Sequence, residues 1–310
     1  MLKLIHAADF HIDGDFTALT PERARVRAGE QRHLLHLFQS AVVEREVDLV
    51  VIAGDLLHGS RVSLEMVELV METLRELPCP VFISPGNHDY YHDKSPYFMF
   101  KWPDNVHIFT SSLATCKEIT VRDETVCIYG AAFTDSTKDT SPLANLQGAK
   151  DWSNYHIMVA HGEVDGEKFG SMSTEEIIGC GMHYLALGHV HTRTAPQRLG
   201  NTYYTYAGCA QGRNFAETEA KGVLYLEIER TGEANMAFIP LHSRQYHMVA
   251  VDISRQRDFT ESLRKSLLGR YPGAKEEIFC IILKGESSGV DVRALERALE
   301  QDFFGIEVVD

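Results

Sequence analysis

The sequence predicts an α/β protein, with strands and helices interleaved in an α+β manner and a small α+β unit at its C-terminal end. Three observations predict it. Short apolar, β-branched runs alternate with longer segments of helical period through the first half of the chain. In four places a polar turn bearing aspartate or histidine follows such a run directly, which is where open α/β sheets place ligands. From about Arg244 the alternation starts again and fills roughly 65 residues, small for a domain standing alone.

Leu2 to Ala7 reads as the first buried strand. The stretch 22–45 is a helix, with Pro21 near a start where its missing N–H costs nothing. Leu34, Leu37, Phe38, Ala41 and Val42 follow the 3.6-residue period there. Leu49-Val50-Val51-Ile52-Ala53 has no polar face and reads as a strand covered on both sides. A helix follows over 63–77. Its apolar residues Leu64, Met66, Val67, Leu69, Val70, Met71, Leu74 and Leu77 spread over about 200° of the wheel, against about 100° for a helix serving one core. The surplus predicts a homodimer through this helix; cover within the chain, by the small C-terminal cap or by residues 98–102, is the alternative.

Residues 80–84 form the next strand, and 119–121 with 126–129 flank Arg122-Asp123-Glu124-Thr125 as a hairpin. Strands over 157–160 and 184–187 are buried, and 203–206, 222–228 and 235–239 are later strands. The terminal unit reads as strand 247–253, helix 259–268, strand 278–283, helix 290–299 and strand 306–309. This gives two domains, 1–242 and 243–310, the second leaning on the first as a cap.

Composition narrows the function. At 310 residues and 44% apolar the chain supports one large core and a small second one. No apolar run approaches the roughly 20 residues of a membrane span, and the N-terminus turns polar too soon for a signal peptide. Six scattered cysteines without a Cys-x-x-Cys pair fit a reducing cytoplasm and not a zinc ribbon or disulfide scaffold. The net charge of −14 is opposite to that of a protein holding nucleic acid by charge alone. Two bound divalent ions would add about +4 where it matters.

The chemistry sits in separated pieces: Asp9-Phe10-His11, Gly54-Asp55, Gly86-Asn87-His88-Asp89, His161-Gly162 and Gly188-His189-Val190-His191. Leaving Asp89 aside, they supply two carboxylates, an amide and five imidazoles, the donor mixture of a hydrolytic pair of transition-metal ions. Asp9 and His11, two apart at a strand end, would point the same way; an ordinary turn is the plainer reading of that pair alone. Asp55 could bridge two ions, one per oxygen, or cap a turn. Asn87 offers a neutral ligand, and His88 beside it a proton donor. Tyr90-Tyr91 and the aromatics 97–102 could stack on splayed bases or pack their own loop. Arg23, Arg25, Arg27 and Arg32 could touch a DNA backbone, though a solvated helix face is the plainer reading.

As a set these pieces resemble the calcineurin-like metallophosphoesterase superfamily, with its Asp-x-His, Gly-Asp, Gly-Asn-His-Asp, His and Gly-His-x-His motifs. Ile5 to Asp13, Gly54-Asp55-Leu56-Leu57-His58-Gly59-Ser60-Arg61, and Tyr206-Ala207-Gly208 with Gly212-Arg213-Asn214-Phe215 are similar to the SbcD-type DNA-repair nucleases. The resemblance implies a metallophosphoesterase β-sandwich flanked by helices over 1–242. It implies that Asp9, His11 and His191 hold one ion, that Asn87, His161 and His189 hold a second, and that Asp55 bridges them. His88 would be the catalytic histidine, supported by His58, with Arg61, Tyr90 and Arg213 touching substrate. Family members favour manganese; the donor types alone suit Mn, Fe or Zn better than Ca or Mg.

The implied reaction is in-line hydrolysis of DNA phosphodiesters, exo- and endonucleolytic, in double-strand-break repair or end processing. The implied partner is an SMC-like ATPase of the SbcC type, although the C-terminal segment with which that branch docks has no match here. The alternatives are a phosphodiesterase or phosphatase acting on a small molecule, and a non-catalytic protein that binds DNA ends.

Overall fold

The computed structural model describes residues 1–16, 19–137, 140–146, 148, 152–241, 243–253, 259–285 and 291–310. The chain divides into two compact units: residues 1–14, 31–211 and 221–241 make the first, and 15–30, 212–220 and 242–310 the second. The second therefore takes in two stretches, 15–30 and 212–220, that a linear division at 242/243 leaves in the first domain.

The first unit is built on two six-stranded sheets. One has the order β12-β11-β1-β2-β3-β4, from β1 (Leu2–Ala7), β2 (Leu49–Ile52), β3 (Val81–Ile83), β4 (Val106–Ile108), β11 (Gly222–Ile228) and β12 (Ala234–Pro240). The other runs β5-β6-β7-β8-β10-β9, from β5 (Thr115–Val121), β6 (Glu124–Ala131), β7 (Tyr155–His161), β8 (Tyr184–Gly188), β9 (Gln197–Leu199) and β10 (Thr202–Tyr206). Strands β1 to β4 are mutually parallel, as are β6, β7, β8 and β10; the antiparallel strands lie at the margins.

Alternation within each strand builds the layers. Leu2, Leu4, Leu49, Val51 and Phe82 meet Ile128, Ile157, Val159 and Ala186 in a core between the sheets. Ile5, Ala7, Val50, Ile52, Val81 and Ile83 face the other way, onto Leu34, Leu35, Phe38, Val42, Val70 and Leu74 of helices α1 (Pro21–Glu44) and α2 (Leu64–Arg75). On the far side, Met158, Leu185 and Tyr204 pack with Ile177 of α4 (Thr174–Gly179). Both faces of β2 are thus covered, which is why its sequence carries no polar alternation. Each buried aliphatic side chain contributes about 1.5–3 kcal/mol.

The local signals behave as their physics demands. Pro21 is the first residue of α1, which ends with Glu46 in the left-handed region at φ 48°. The Asn105 amide donates to the Leu74 carbonyl (2.8 Å) and so closes the C-terminus of α2. The hairpin β5–β6 turns on two residues, Arg122 (φ 48°) and Asp123 (φ 64°), and not on the four expected. Positive φ at both positions matches the twist of the strands.

On α2 the wide apolar arc is mostly absorbed within the chain. Leu69 and Met71 pack against the core, Trp102 joins the same cluster, and Leu64 alone among the eight is exposed, at 56%. Among the described residues, the short elements β4, β9, α4 and α3 (Pro96–Met99) escaped the sequence reading, as did the tight helical turns Gly59–Arg61 and Ala274–Glu276.

In the second unit, β13 (Tyr246–Asp252), β14 (Ile278–Lys284) and β15 (Gly305–Val309) form a parallel sheet connected through α5 (Phe259–Arg270) and α6 (Val292–Leu299). Val290, where the sequence reading begins α6, lies outside the described residues. Arg27 is fully buried here. It pairs with Glu30 at 2.5 Å and donates to the Gly212 carbonyl at 2.9 Å, so it is a core residue and neither a DNA contact nor part of a solvated face.

Candidate metal centre

The motif residues follow the C-terminal ends of parallel strands in both sheets. Asp9 and His11 come after β1, Asp55 after β2, and Asn87 and His88 after β3. His161 ends β7, and His189 and His191 follow β8. The loops after β1 and β2 are zipped together: Asp9 N–H donates to the Gly54 carbonyl (3.1 Å) and His11 N–H to that of Asp55 (2.9 Å).

Asp9, His11 and Asp55 have left strand geometry and stand at φ 50°, 46° and 50°. Strand alternation therefore does not align Asp9 with His11; two left-handed residues do. Such conformations cost about 1–3 kcal/mol each and persist where surrounding structure over-determines them. Gly54, at φ 84°, adds a close approach, since a Cβ there would sit 2.2 Å from Nδ1 of His161.

The donors converge in two groups that share one atom. Nε2 of His11 is 3.1 Å from Nε2 of His191 and 3.6 Å from Oδ2 of Asp55, and Asp9 Oδ1 lies 3.9 Å from Nε2 of His191. On the other side Oδ1 of Asn87 is 2.9 Å from Nε2 of His161 and 3.2 Å from Nδ1 of His189, and Asp55 Oδ2 is 3.5 Å from Nε2 of His161. Asp55 thus turns a single oxygen to both groups. Its other oxygen accepts the His88 N–H (2.9 Å), which replaces the expectation of one oxygen per ion.

Burial sets the charge states. The Asp9 carboxyl is pushed up to about 8 by burial, with Asp55 repelling it further against the pull of His191. Burial likewise raises Asp55. His161 is pushed down to about 3 by burial and stays neutral. Its Nδ1–H donates to the Ala53 carbonyl (2.9 Å), so Nε2 aims a bare lone pair at Asn87 Oδ1 and Asp55 Oδ2. Acceptors facing acceptors repel unless a cation lies among them.

A metal–ligand distance of about 2.0–2.2 Å places neighbouring donors about 3 Å apart, which the separations of 2.9–3.6 Å match. These residues therefore fit a pair of divalent ions. The imidazole, carboxylate and amide mixture suits Mn, Fe or Zn. Among the described residues, groupings with mutually close donors include Asp9 with His11 and His191, Asp9 with Asp55 and His161, and His11 with His58 and His88.

The remaining sequence-predicted residues divide. His88 is exposed, with its ring stacked on that of His58 at 5.3 Å and edge-on to His11 at 4.9 Å. His58 Nδ1 lies 3.2 Å from Nδ1 of His11, so His58 touches both the donor group and His88. Tyr90 is half-buried beside His92 and lines a cavity of about 250 Å³ with Asn87, His88 and Gly59. Arg61 is exposed on the tight helical turn Gly59–Arg61. Arg213 belongs to the second unit, where its guanidinium lies 3.9 Å from Glu217.

Sequence reasoning gave no role to Asp89, which proves central to the loops. One carboxylate oxygen accepts N–H groups of Asp55 (3.2 Å) and Gly86 (2.7 Å); the other accepts the Leu57 N–H (3.1 Å) and the Tyr97 hydroxyl (2.6 Å). Burial and then the charge of Asp55 push Asp89 up to about 6. Its place at the end of Gly-Asn-His-Asp was the available signal. Gln31, which donates to the His11 carbonyl (3.3 Å), had none.

A sequence profile described as calcineurin-like phosphoesterase matches residues 2–193. The uncharacterized metallophosphoesterase YhaO of Bacillus subtilis is 29% identical over 271 residues, covering 84% of this chain and 65% of its own length. The SbcD component of the nuclease SbcCD of Staphylococcus epidermidis is 26% identical over 277 residues, covering 77% of this chain and 70% of its own. The chain therefore spans somewhat under two thirds of YhaO and just over two thirds of the second relative.

Proposed function

The chain belongs to the calcineurin-like phosphoesterase family, and from that premise we propose that it is a two-metal DNA nuclease, cutting exo- and endonucleolytically, that processes ends in double-strand-break repair. The observation that carries the reading is the convergence of acceptors around Asp55 Oδ2, His161 Nε2 and Asn87 Oδ1. In this assignment Asp9, His11 and His191 would hold one ion, Asn87, His161 and His189 the other, and Asp55 would serve both. Such ions, manganese by preference, would supply Lewis acidity to the phosphoryl oxygens and lower the pKa of water.

The protein's own residues do the rest. The neutral amide of Asn87 keeps the site from accumulating negative charge against a phosphate. His88, at the surface and edge-on to His11, donates a proton to the leaving oxygen. His58 holds the His88 ring by stacking. Arg61 contacts the DNA backbone, and Tyr90 stacks on a base beside the cavity near His88.

The name of the Staphylococcus epidermidis relative makes it one subunit of a nuclease. As part of the same proposal this chain acts in the cytoplasm, as a homodimer, with an SMC-like ATPase of the SbcC type as its partner. Among the described residues no helix is long and apolar enough to cross a membrane. A second reading, a phosphodiesterase for a small molecule, is favoured by the net charge of −14 and by the small size of the cavity at His88.

One experiment separates these readings: incubation with linear double-stranded DNA, single-stranded DNA and bis-p-nitrophenyl phosphate, each with Mn²⁺, Mg²⁺ or chelator. Cleavage of DNA with Mn²⁺ and none with chelator is expected. Turnover of the small ester with no DNA cleavage moves the assignment to the second reading. DNA binding without any hydrolysis marks a non-catalytic binding protein.

A further inference from the structure

The ring of His189 is held from both ends. Its Nδ1 lies 3.2 Å from Asn87 Oδ1, on the side where the donors converge, and its Nε2 lies 3.2 Å from Oε1 of Glu163 on the other. A carboxylate can only accept, so Nε2 carries the hydrogen and donates it to Glu163; in the neutral ring this leaves the Nδ1 lone pair facing Asn87 Oδ1 and the donor group, as a metal ligand requires. A carboxylate on the far nitrogen also makes the imidazole a stronger donor.

Glu163 is two residues past His161, on the loop that follows β7. The loop is tied back on itself: Glu163 N–H donates to the Phe169 carbonyl (3.1 Å), and Met172 N–H donates to the Glu163 carbonyl (2.8 Å). The Phe169 ring flanks that of His189 at 4.9 Å, so the same loop offers both the carboxylate and an apolar wall. Gly166 closes against the carboxylate from the side away from His189. A Cβ at Gly166 would sit 2.0 Å from Oε2 and 2.5 Å from Cβ of Glu163. Space for the Glu163 side chain therefore exists only while position 166 has none. The Ser171 hydroxyl, donating to the Gly166 carbonyl at 2.8 Å, keeps Gly166 in place.

We propose that Glu163 is a positioning residue for His189, fixing its tautomer and ring orientation and so setting the affinity of the ion held by Asn87, His161 and His189. The proposal rests on the metal-centre reading above. It assigns the loop 163–172 a share in the centre through two features, the acid at 163 and the absent side chain at 166. Glu163 does not touch the substrate; it acts through His189.

The test is calorimetric titration of MnCl₂ into chelator-stripped protein, for the wild type and for Glu163→Ala, Glu163→Gln and Gly166→Ala. The wild type is expected to take up two ions. Glu163→Ala should weaken one of the two by about 10- to 100-fold and leave the other unchanged. Glu163→Gln should recover most of the loss, because an amide oxygen still accepts the Nε2 hydrogen. Gly166→Ala should repeat the loss with Glu163 intact. Thermal midpoints of the stripped proteins should stay together, which separates positioning from folding. Two ions bound as tightly in Glu163→Ala as in the wild type overturn the proposal alone. A wild type that takes up no pair of ions overturns the metal-centre reading, and the proposal with it.

Discussion

Asp55 and His88 meet through one hydrogen bond yet have opposite tasks, and substitution separates them. Asp55→Asn keeps an oxygen to accept the His88 N–H but removes the charge from the atom turned toward both donor groups. It should fold, lose both ions and lose hydrolysis. His88→Ala should keep both ions and lose about 10²- to 10⁴-fold in rate, the range of a general acid. Metal content and rate measured side by side decide. Two ions at wild-type rate in Asp55→Asn remove the bridge, and metal loss in His88→Ala makes His88 a ligand. The residues that converge on the candidate centre were legible as motifs, because each stands at the end of, or in the turn after, an apolar strand. What Asp89 and Glu163 touch was not legible. Their partners lie across loops that only the fold brings near, such as the amides of Asp55 and Leu57 and the far nitrogen of His189.

Elements were readable in proportion to their length. The runs around Leu49 to Ile52 and Leu34 to Val42 are long enough for periodicity to speak, and β2 and α1 stand where it put them. Strands β4 and β9 have three residues each, like β3, but β3 is an unbroken apolar run while β4 carries His107 and β9 carries Gln197 and Arg198, so no pattern marks them. Helix α4 had a usable signature. Ser173 and Glu176 form a capping box, with the Ser173 hydroxyl accepting the Glu176 N–H at 3.1 Å and the Glu176 carboxylate accepting the Ser173 N–H at 2.9 Å. Helix α2 shows the limit of counting apolar residues, since most of its wide arc is spent inside its own unit. A homodimer through α2 then depends on Leu64, the exposed apolar residue of the arc, and Leu64→Glu tests it without disturbing the core. If the pairing is real, light scattering at tens of micromolar should show a wild-type dimer and a monomeric variant. A monomeric wild type, or a dimeric variant, removes this interface.

For the molecule as a whole, buried histidines tie stability to acidity. The His6 Nε2–H donates to the Leu187 carbonyl (3.1 Å) while its Nδ1 accepts from the Tyr184 hydroxyl (2.8 Å), and burial pushes it down to about 3. His183, also held down by burial, is near 4. Both titrate near 6.5 when unfolded. Between those values the unfolded chain binds more protons, so their stabilising contribution is complete above about 6.5 and is lost as pH falls toward 3. In chelator-treated protein, His6→Gln should lower the urea midpoint at pH 7 by more than it does at pH 4.5. An equal loss at both values would deny His6 this role. The same fold has a consequence for how fast the centre fills. Through Asp89 and through Oδ1 of Asp55, backbone amides on the loops after β2 and β3 are tied to fixed carboxylates. The backbone of these loops is therefore fixed by hydrogen bonds that involve no ion. What is left for an entering cation is to relieve the repulsion among the donor lone pairs, so uptake should need only side-chain adjustment and the loss of the ion's own water shell.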